Sequence, residues 1–169
     1  MNKYITVIAP MRAQPFHFGH QRYVSQLSYR FHKVLILLNR DNSFDDPFSF
    51  EIREKWILNY CLSRGLSNVS VPERLECEQK HEYRLLGGED FLIITTNETN
   101  GHYADLGFCT LNHQNNPLPN PPKAEKFPDW CYSRTCDTGQ IIRAKMRAGD
   151  SCKGLVSEEI ELEALALIG

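Results

Sequence analysis

Two apolar runs open the chain, Tyr4-Ile5-Thr6-Val7-Ile8-Ala9 and Lys33-Val34-Leu35-Ile36-Leu37-Leu38. Both are short, almost continuous and rich in aliphatic residues, which is typical of strands buried on both faces of a parallel sheet. A loop over 10–18 and a helical stretch over about 19–32 separate them. A strand, a helix and a second strand in this order predict a right-handed crossover unit.

The alternation of strands and helices continues along the chain. A helix is predicted from Ser49, as its cap, to about Arg64. Short strands are predicted over 68–71 and 91–95, with a helix over 79–86 between them. The pattern predicts an α/β, Rossmann-like three-layer fold with a mostly parallel sheet, and such sheets bind ligands beyond the carboxyl ends of their strands.

The alternation stops over 97–130, a segment rich in Asn, Gly and Pro. Five of the nine prolines lie in its second half, so we expect no regular helix or central strand there. The chain over 1–169 is therefore predicted to be a single domain with an irregular Pro-rich insertion at about 97–130, which is either a functional flap or an added segment. Helices are predicted again over 138–148, with Thr138 as cap, and after Ser157.

Composition excludes several classes of protein. With 169 residues, 41% of them hydrophobic, the chain can bury a core without disulfides or a metal, and no run approaches the roughly 20 apolar residues of a membrane span. The net charge of −2 provides no basic excess for non-specific binding to nucleic acid or anionic lipid. The start of the chain is a poor signal peptide and no cysteine pair has zinc-knuckle spacing, so we expect reduced thiols in the cytoplasm and no protein metal site.

The loop after the first strand carries the first chemical signal. His17-Phe18-Gly19-His20 places two imidazoles around a glycine at the start of a helix. The unpaired N–H groups and partial positive charge of a helix amino terminus attract anions. Upstream, Arg12 can add a bidentate contact. Together they predict a phosphate site; the alternative is that one histidine caps the helix and the other packs in the core.

A second basic segment begins at Thr138. Arg143 and Arg147 are four residues apart and therefore lie on one face of the predicted helix. Arg143 lies in the first turns of that helix, near the amino terminus, which is the end that attracts anions. By itself the segment is equally compatible with a solvated cationic face.

These segments resemble a known family. Residues 17–20 are similar to the His-x-Gly-His signature of the nucleotidyltransferase superfamily with a Rossmann-like fold. Residues 12–20 resemble the Gly-Arg-Phe-Gln-Pro-Phe-His-x-Gly-His stretch of archaeal-type nicotinamide-nucleotide adenylyltransferases, and 46–49 with Arg53 resemble their Asn-Pro-Phe-Thr segment and following Glu-Arg. Residues 138–146 resemble their Ser-Gly-Thr-x-Ile-Arg-x-x-Met. The resemblance covers both ends of the chain and fades between about 77 and 136.

The resemblance implies an adenylyltransferase that joins AMP from ATP to nicotinamide mononucleotide, giving NAD and pyrophosphate, with Mg²⁺ held mainly by the phosphates of ATP. It implies that the catalytic residues are His17, His20 and Arg143. The residues implied to bind the nucleotide are Arg12, Gln14, Gly19, Thr138, Gly139, Gln140 and Ile142. Those expected to bind the acceptor are Arg53, Asn97 and Trp130.

Some positions depart from the family pattern. Met11 stands where the family has glycine, which predicts a crowded approach to the phosphates. Thr95-Thr96-Asn97 stands where the family carries Asn-Pro-Leu. Two alternatives therefore stay open: the same chemistry on another acceptor, by a phosphopantetheine adenylyltransferase or a cytidylyltransferase, and a non-catalytic nucleotide-binding regulatory protein on the same fold. The expected partners are ATP and a small phosphorylated acceptor, and the oligomeric state, a homo-oligomer included, stays open.

Overall fold

The computed structural model describes residues 5–39, 43–73, 83, 90–96, 99–122, 125–132 and 138–168. Within them, five strands form one sheet in the order β3-β2-β1-β4-β5, and every neighbouring pair is parallel. The strands are β1 (Thr6–Met11), β2 (Lys33–Leu38), β3 (Val69–Ser70), β4 (Phe91–Thr95) and β5 (Thr110–Asn112). The predicted α/β, Rossmann-like fold is confirmed.

Helices cover both faces of this sheet. They are α1 (Phe18–Arg30), α2 (Phe50–Arg64), α3 (Asn100–Asp105), a 3-10 helix (Asp129–Tyr132), α4 (Thr138–Ala148) and α5 (Glu158–Leu167). In the described part of the chain, no helix is long and apolar enough to cross a membrane.

The core divides between the two faces because strand side chains alternate. From β1, Val7 and Ala9 enter the larger cluster, whereas Ile8 enters the smaller one. The larger cluster packs the sheet against α1, α2, α4 and α5, and the smaller one packs it against Tyr103 of α3. The helices that carry the two predicted motifs, α1 and α4, therefore pack on the same face of the sheet.

The order in which strands are added to the sheet reverses beside β1. The chain runs from β1 outward to β2 and β3, and then returns to add β4 and β5 on the other side of β1. In open α/β sheets this reversal opens a crevice at the carboxyl ends of the two central strands, where ligands bind. The loop over 12–17 leaves the carboxyl end of β1 at this crevice.

Local signals predict several helix boundaries correctly. Ser49 caps α2, its hydroxyl accepting from the Ile52 N–H at 3.4 Å, and Gly65 ends that helix with a φ of 67°, a left-handed conformation that suits glycine. The span predicted for α4, 138–148, is confirmed. Thr138, however, is the first residue of α4 rather than the residue before it.

One expectation needs correction, and one lies outside the described residues. The segment over 97–130 contains α3 and the edge strand β5, although its described Pro-rich part, 117–122 and 125–128, has no helix or strand. The helix predicted over 79–86 lies outside the described residues except for Tyr83.

Candidate functional site

The loop between β1 and α1 is fastened to the segment that precedes α2. The side-chain amide of Gln14 pairs with the backbone of Phe48 in both directions: Nε2 donates to the carbonyl at 2.8 Å, and Oε1 accepts from the N–H at 2.9 Å. The resemblance implies nucleotide binding by Gln14. In the structure its buried side chain holds the loop, and its backbone carbonyl faces α4, as described below.

Arg53 is a second fastening of the same loop. Its side chain is almost fully buried, and its Nη1 donates to the carbonyls of Arg12 and Asn39, each at 2.7 Å. Its Nε donates to the carbonyl of Ser49 at 3.1 Å. The resemblance implies acceptor binding by Arg53. The structure places this guanidinium against backbone carbonyls, two of which directly follow β1 and β2.

His17 and His20 cap α1 reciprocally. Nδ1 of His17 accepts from the backbone N–H of His20, and Nδ1 of His20 accepts from the backbone N–H of His17, both at 3.3 Å. The two rings are stacked, with their centroids 3.7 Å apart and their planes 19° from parallel. The alternative, in which one histidine caps the helix and the other packs in the core, is therefore wrong. Both rings take part in the capping box at the start of α1.

Burial keeps both histidines neutral. Burial lowers the pKa of His17 well below its ordinary value, and the neighbouring charge of His20 lowers it further. Burial also lowers the pKa of His20 to about 4, opposed by the Pro15 carbonyl. A neutral imidazole carries one N–H, and since each Nδ1 accepts a hydrogen bond, the proton lies on each Nε2. Nε2 is therefore the donor atom of each ring, and the Pro15 carbonyl lies near the His20 ring.

Gly19 permits this stacked arrangement. A Cβ at this position would lie 2.9 Å from Cε1 of His17 and 3.3 Å from Cζ3 of Trp130. The resemblance implies close approach of the nucleotide to Gly19. In the structure the groups that approach it closely are these two side chains, which a larger residue would displace.

Arg143 connects the second motif to the first. Its side chain is buried on α4, and Nη1 donates to the Gln14 carbonyl at 2.6 Å. Gly139 makes this contact fit, because a Cβ there would lie 3.1 Å from Nη1 and 3.3 Å from the Gln14 carbonyl oxygen. The guanidinium of Arg143 is thereby held against Gln14, which lies three residues before His17 in the chain.

A group of charged residues surrounds this contact. Nε of Arg12 pairs with the carboxylate of Asp46, and Nη2 of Arg12 donates to the Asp45 carbonyl at 3.1 Å. Burial would raise the pKa of Asp46, but the hydrogen bond and charge of Arg12 outweigh it and lower that pKa. Burial and the charge of Arg12 lower the pKa of Arg143, while Asp46 raises it. Arg12 before the first motif, Arg143 of the second motif and Asp46 of the segment before α2 thus lie within electrostatic reach of each other.

Asp46 is the member of this group that the sequence did not predict as a site residue. A solvated loop is the expected setting of an acidic stretch, whereas Asp46 is buried against Arg12. The available signal was topological: β1 and β2 are parallel neighbours, so the loops that follow them emerge at the same edge of the sheet.

The remaining predicted site residues divide into two groups. Thr138 and Gly139 lie in the first turn of α4, next to the Gln14 carbonyl, and Gln140 is exposed beside them. By contrast, the side chain of Ile142 is fully buried in the larger core cluster. Asn97 lies outside the described residues.

Two features bear on ligand access. The side chain of Met11 is buried in the larger core cluster, so it does not crowd the approach to the loop. Within the described ranges, no group of three or more His, Cys, Asp or Glu side chains could hold a metal ion.

Comparison with known proteins finds similar folds among solved structures. No family model and no curated protein sequence matches the chain. Among solved structures, a protein from Vibrio parahaemolyticus assigned as a nicotinate-nucleotide adenylyltransferase superposes with a TM-score of 0.62 at 15% identity, over 96% of this chain and 99% of that one. A bifunctional NMN adenylyltransferase/ADP ribose pyrophosphatase from Francisella tularensis gives 0.65 at 18% identity, over 98% of this chain and 52% of that one.

The chain shares the fold of these adenylyltransferases. A second structure of the Francisella protein, in complex with AMP and a manganese ion, superposes with a TM-score of 0.59 at 17% identity, over 96% of this chain and 52% of that one. This chain thus spans about half the length of the bifunctional protein and nearly all of the Vibrio one.

Proposed function

We propose that this protein is a nucleotidyltransferase that transfers AMP from ATP to nicotinamide mononucleotide, giving NAD and pyrophosphate. The observation that carries the proposal is the 2.6 Å contact between Arg143 and the Gln14 carbonyl. It brings the cation of the second motif to the loop that contains His17 and His20. The fold shared with three adenylyltransferase structures supports the same conclusion.

The reaction needs little covalent chemistry from the protein. An oxygen of the acceptor phosphate attacks the α-phosphorus of ATP, the bond from that phosphorus to the bridging oxygen breaks, and pyrophosphate leaves. Because the acceptor oxygen is already anionic, no activated serine or cysteine is required. Catalysis then depends on in-line positioning and on stabilisation of negative charge.

The residues of the loop and of α4 suit these tasks. The Nε2–H groups of His17 and His20 donate to phosphate oxygens, and Arg143 neutralises charge on the triphosphate. The first turn of α4, with Thr138 and Gly139, adds N–H groups and the positive end of a helix dipole. Since neutral histidines donate without carrying charge, the net positive charge of the site comes from its arginines.

Arg12 joins the site by exchanging partners. Its guanidinium is paired with Asp46, which acts as an internal anion. A triphosphate carries more negative charge than one carboxylate and offers bidentate geometry to a guanidinium. On nucleotide binding, Arg12 moves from Asp46 to a phosphate.

Magnesium fits this site as a companion of the nucleotide. The described carboxylates do not form a cage for a cation, and Asp46 is engaged by Arg12. Mg²⁺ held by the phosphates would neutralise charge on the departing pyrophosphate.

Pyrophosphate release tests the proposal. Purified protein is incubated with ATP and Mg²⁺ and one acceptor at a time: nicotinamide mononucleotide, nicotinate mononucleotide or phosphopantetheine, with CTP replacing ATP in a parallel series. We expect release with nicotinamide mononucleotide, and NAD as the product by mass spectrometry. Release with a different acceptor would retain the chemistry and change the substrate. Binding of ATP without release under any condition would instead support a non-catalytic nucleotide-binding protein.

Single substitutions separate chemistry from folding. His17→Ala removes a helix cap, which costs about 1 kcal/mol of stability, whereas we expect its turnover to fall by about 100-fold or more. Arg143→Ala should likewise reduce turnover far more than stability. Lys33→Ala is the matched control, because Lys33 is exposed at the amino end of β2, away from the carboxyl ends of the strands. Equal losses of stability and turnover in the site variants would favour a structural role.

A further inference from the structure

The ring of His17 is confined on three sides. His20 stacks on it with a centroid distance of 3.7 Å, and the Trp130 ring meets it edge-on at 5.5 Å, with the planes 67° apart. The backbone of Gly19 closes the third side, where even a methyl group would lie 2.9 Å from the ring. Rotation of the ring therefore requires one of these neighbours to move.

Trp130 is itself anchored on elements that hold the start of α1. Its indole Nε1 donates to the Gly154 carbonyl at 2.7 Å, and the next residue, Leu155, accepts from the Phe18 N–H at 3.1 Å. The 3-10 helix that carries Trp130 is held to α1 by Arg22, whose Nη1 donates to the Cys131 carbonyl at 3.3 Å.

We propose that Trp130 is a positioning residue that fixes the His17 ring, with its Nε2–H aimed at the phosphates, rather than a residue that stacks on the acceptor. The indole N–H is used by Gly154, and part of the ring surface is used by His17 and Gly19. The effect on turnover rests on the proposed function. The placement of the His17 ring does not, and it can be measured in the protein without substrate.

Removal of the indole has a directional electrostatic consequence. Burial is the main reason that the pKa of His17 is low, and Trp130 contributes part of the covering surface. Titratable groups on the surrounding elements include His20 and Arg22 on α1, Asp129 and Cys131 on the 3-10 helix, and Arg143 on α4. Of these, His20 lowers the pKa of His17. Water admitted by loss of the indole would raise that pKa toward 6.5.

The test is an NMR titration of the histidine rings in the protein without substrate, with the His17 signal assigned from His17→Asn. In Trp130→Leu we expect the pKa of His17 to rise by about one pH unit or more. Trp130→Phe keeps an aromatic ring and should show a smaller rise. Trp56→Phe is the matched control: Trp56 is a core residue whose ring packs against Phe48, so its substitution should lower stability and leave His17 unchanged.

Turnover measurements complete the test. We expect kcat of Trp130→Leu to fall about tenfold, because a displaced donor aligns poorly with the phosphates, while KM for the acceptor changes little. An unchanged pKa of His17, or a raised acceptor KM with normal kcat, would overturn the inference. If Trp130→Leu does not fold, Trp130→Phe decides by the same readouts. If the wild-type protein releases no pyrophosphate, the proposed function fails, and the titration still decides whether Trp130 fixes His17.

Discussion

Replacement of Gly19 by alanine tests whether the stacked histidines depend on a missing side chain. Alanine normally stabilises a helix by up to about 1 kcal/mol relative to glycine. At this position its Cβ would lie 2.9 Å from Cε1 and 3.0 Å from Nδ1 of His17. Ordinary carbon–carbon contacts lie at about 3.5 Å or more, so the ring must retreat by at least about 0.6 Å. The rings of His20 and Trp130 already pack against it, so at least one of these contacts is disturbed.

The displaced ring loses the hydrogen bonds of the capping box. Each of the two bonds between His17 and His20 contributes about 1 kcal/mol, and their loss outweighs the gain in helix propensity. We therefore expect Gly19→Ala to be about 1 kcal/mol less stable than the wild type, a decrease in Tm of about 2–4 °C. Its turnover should fall by about 100-fold, because the Nε2–H donors no longer face the phosphates together.

Gly101→Ala is the control. Gly101 also lies in the first turn of a helix, α3, and a Cβ there would meet nothing within 4 Å. We expect this variant to be slightly more stable than the wild type, by roughly 0.5 kcal/mol, with unchanged turnover. Urea denaturation of both variants and a pyrophosphate assay provide the comparison. If Gly19→Ala is stabilised as much as Gly101→Ala and remains active, the steric argument about His17 is refuted.

Three further predictions follow from the same contacts. Burial lowers the pKa of His20 to about 4 in the folded protein, so between pH 6.5 and 4 the unfolded chain binds a proton at His20 that the folded protein does not. The free energy of unfolding, measured by urea denaturation, should therefore fall by about 3 kcal/mol as the pH drops through this range. A pH-independent stability would contradict the burial of the two histidines. Arg53→Met leaves the Arg12 and Asn39 carbonyls without this donor, while the Ser49 carbonyl keeps the backbone N–H of residue 53. We expect a loss of about 3 kcal/mol in the same experiment, whereas a loss below about 1 kcal/mol would exclude the fastening role. Ala13 has a φ of 48° and a methyl group that is fully buried in the larger core cluster. In Ala13→Gly the relief of about 1 kcal/mol of backbone strain should be offset by the lost methyl contact, leaving Tm within about 3 °C of the wild type, and a larger fall would show that the left-handed conformation carries little strain.

Short-range signals were sufficient for the helices and strands that begin and end at strong local boundaries. β2 occupies 33–38 as predicted, and α2 begins after its Ser49 cap and ends at Gly65. The edge strand β5 was missed because its three residues pair on one side only and need no long apolar run. The almost continuous apolar runs of β1 and β2, separated by a helix, also predicted the parallel sheet, because strands of such a sheet are buried on both faces.

The amino-acid sequence shows which residues can carry the chemistry, but it does not show which of them contact each other. The chain itself determined that two histidines stand at the start of a helix and that Arg143 lies early in another. Only the tertiary structure decided that Arg143 contacts the Gln14 carbonyl, 129 residues away, and that Arg12 pairs with Asp46. Such contacts depend on how the elements pack across the sheet, and local propensity contains no information about that packing.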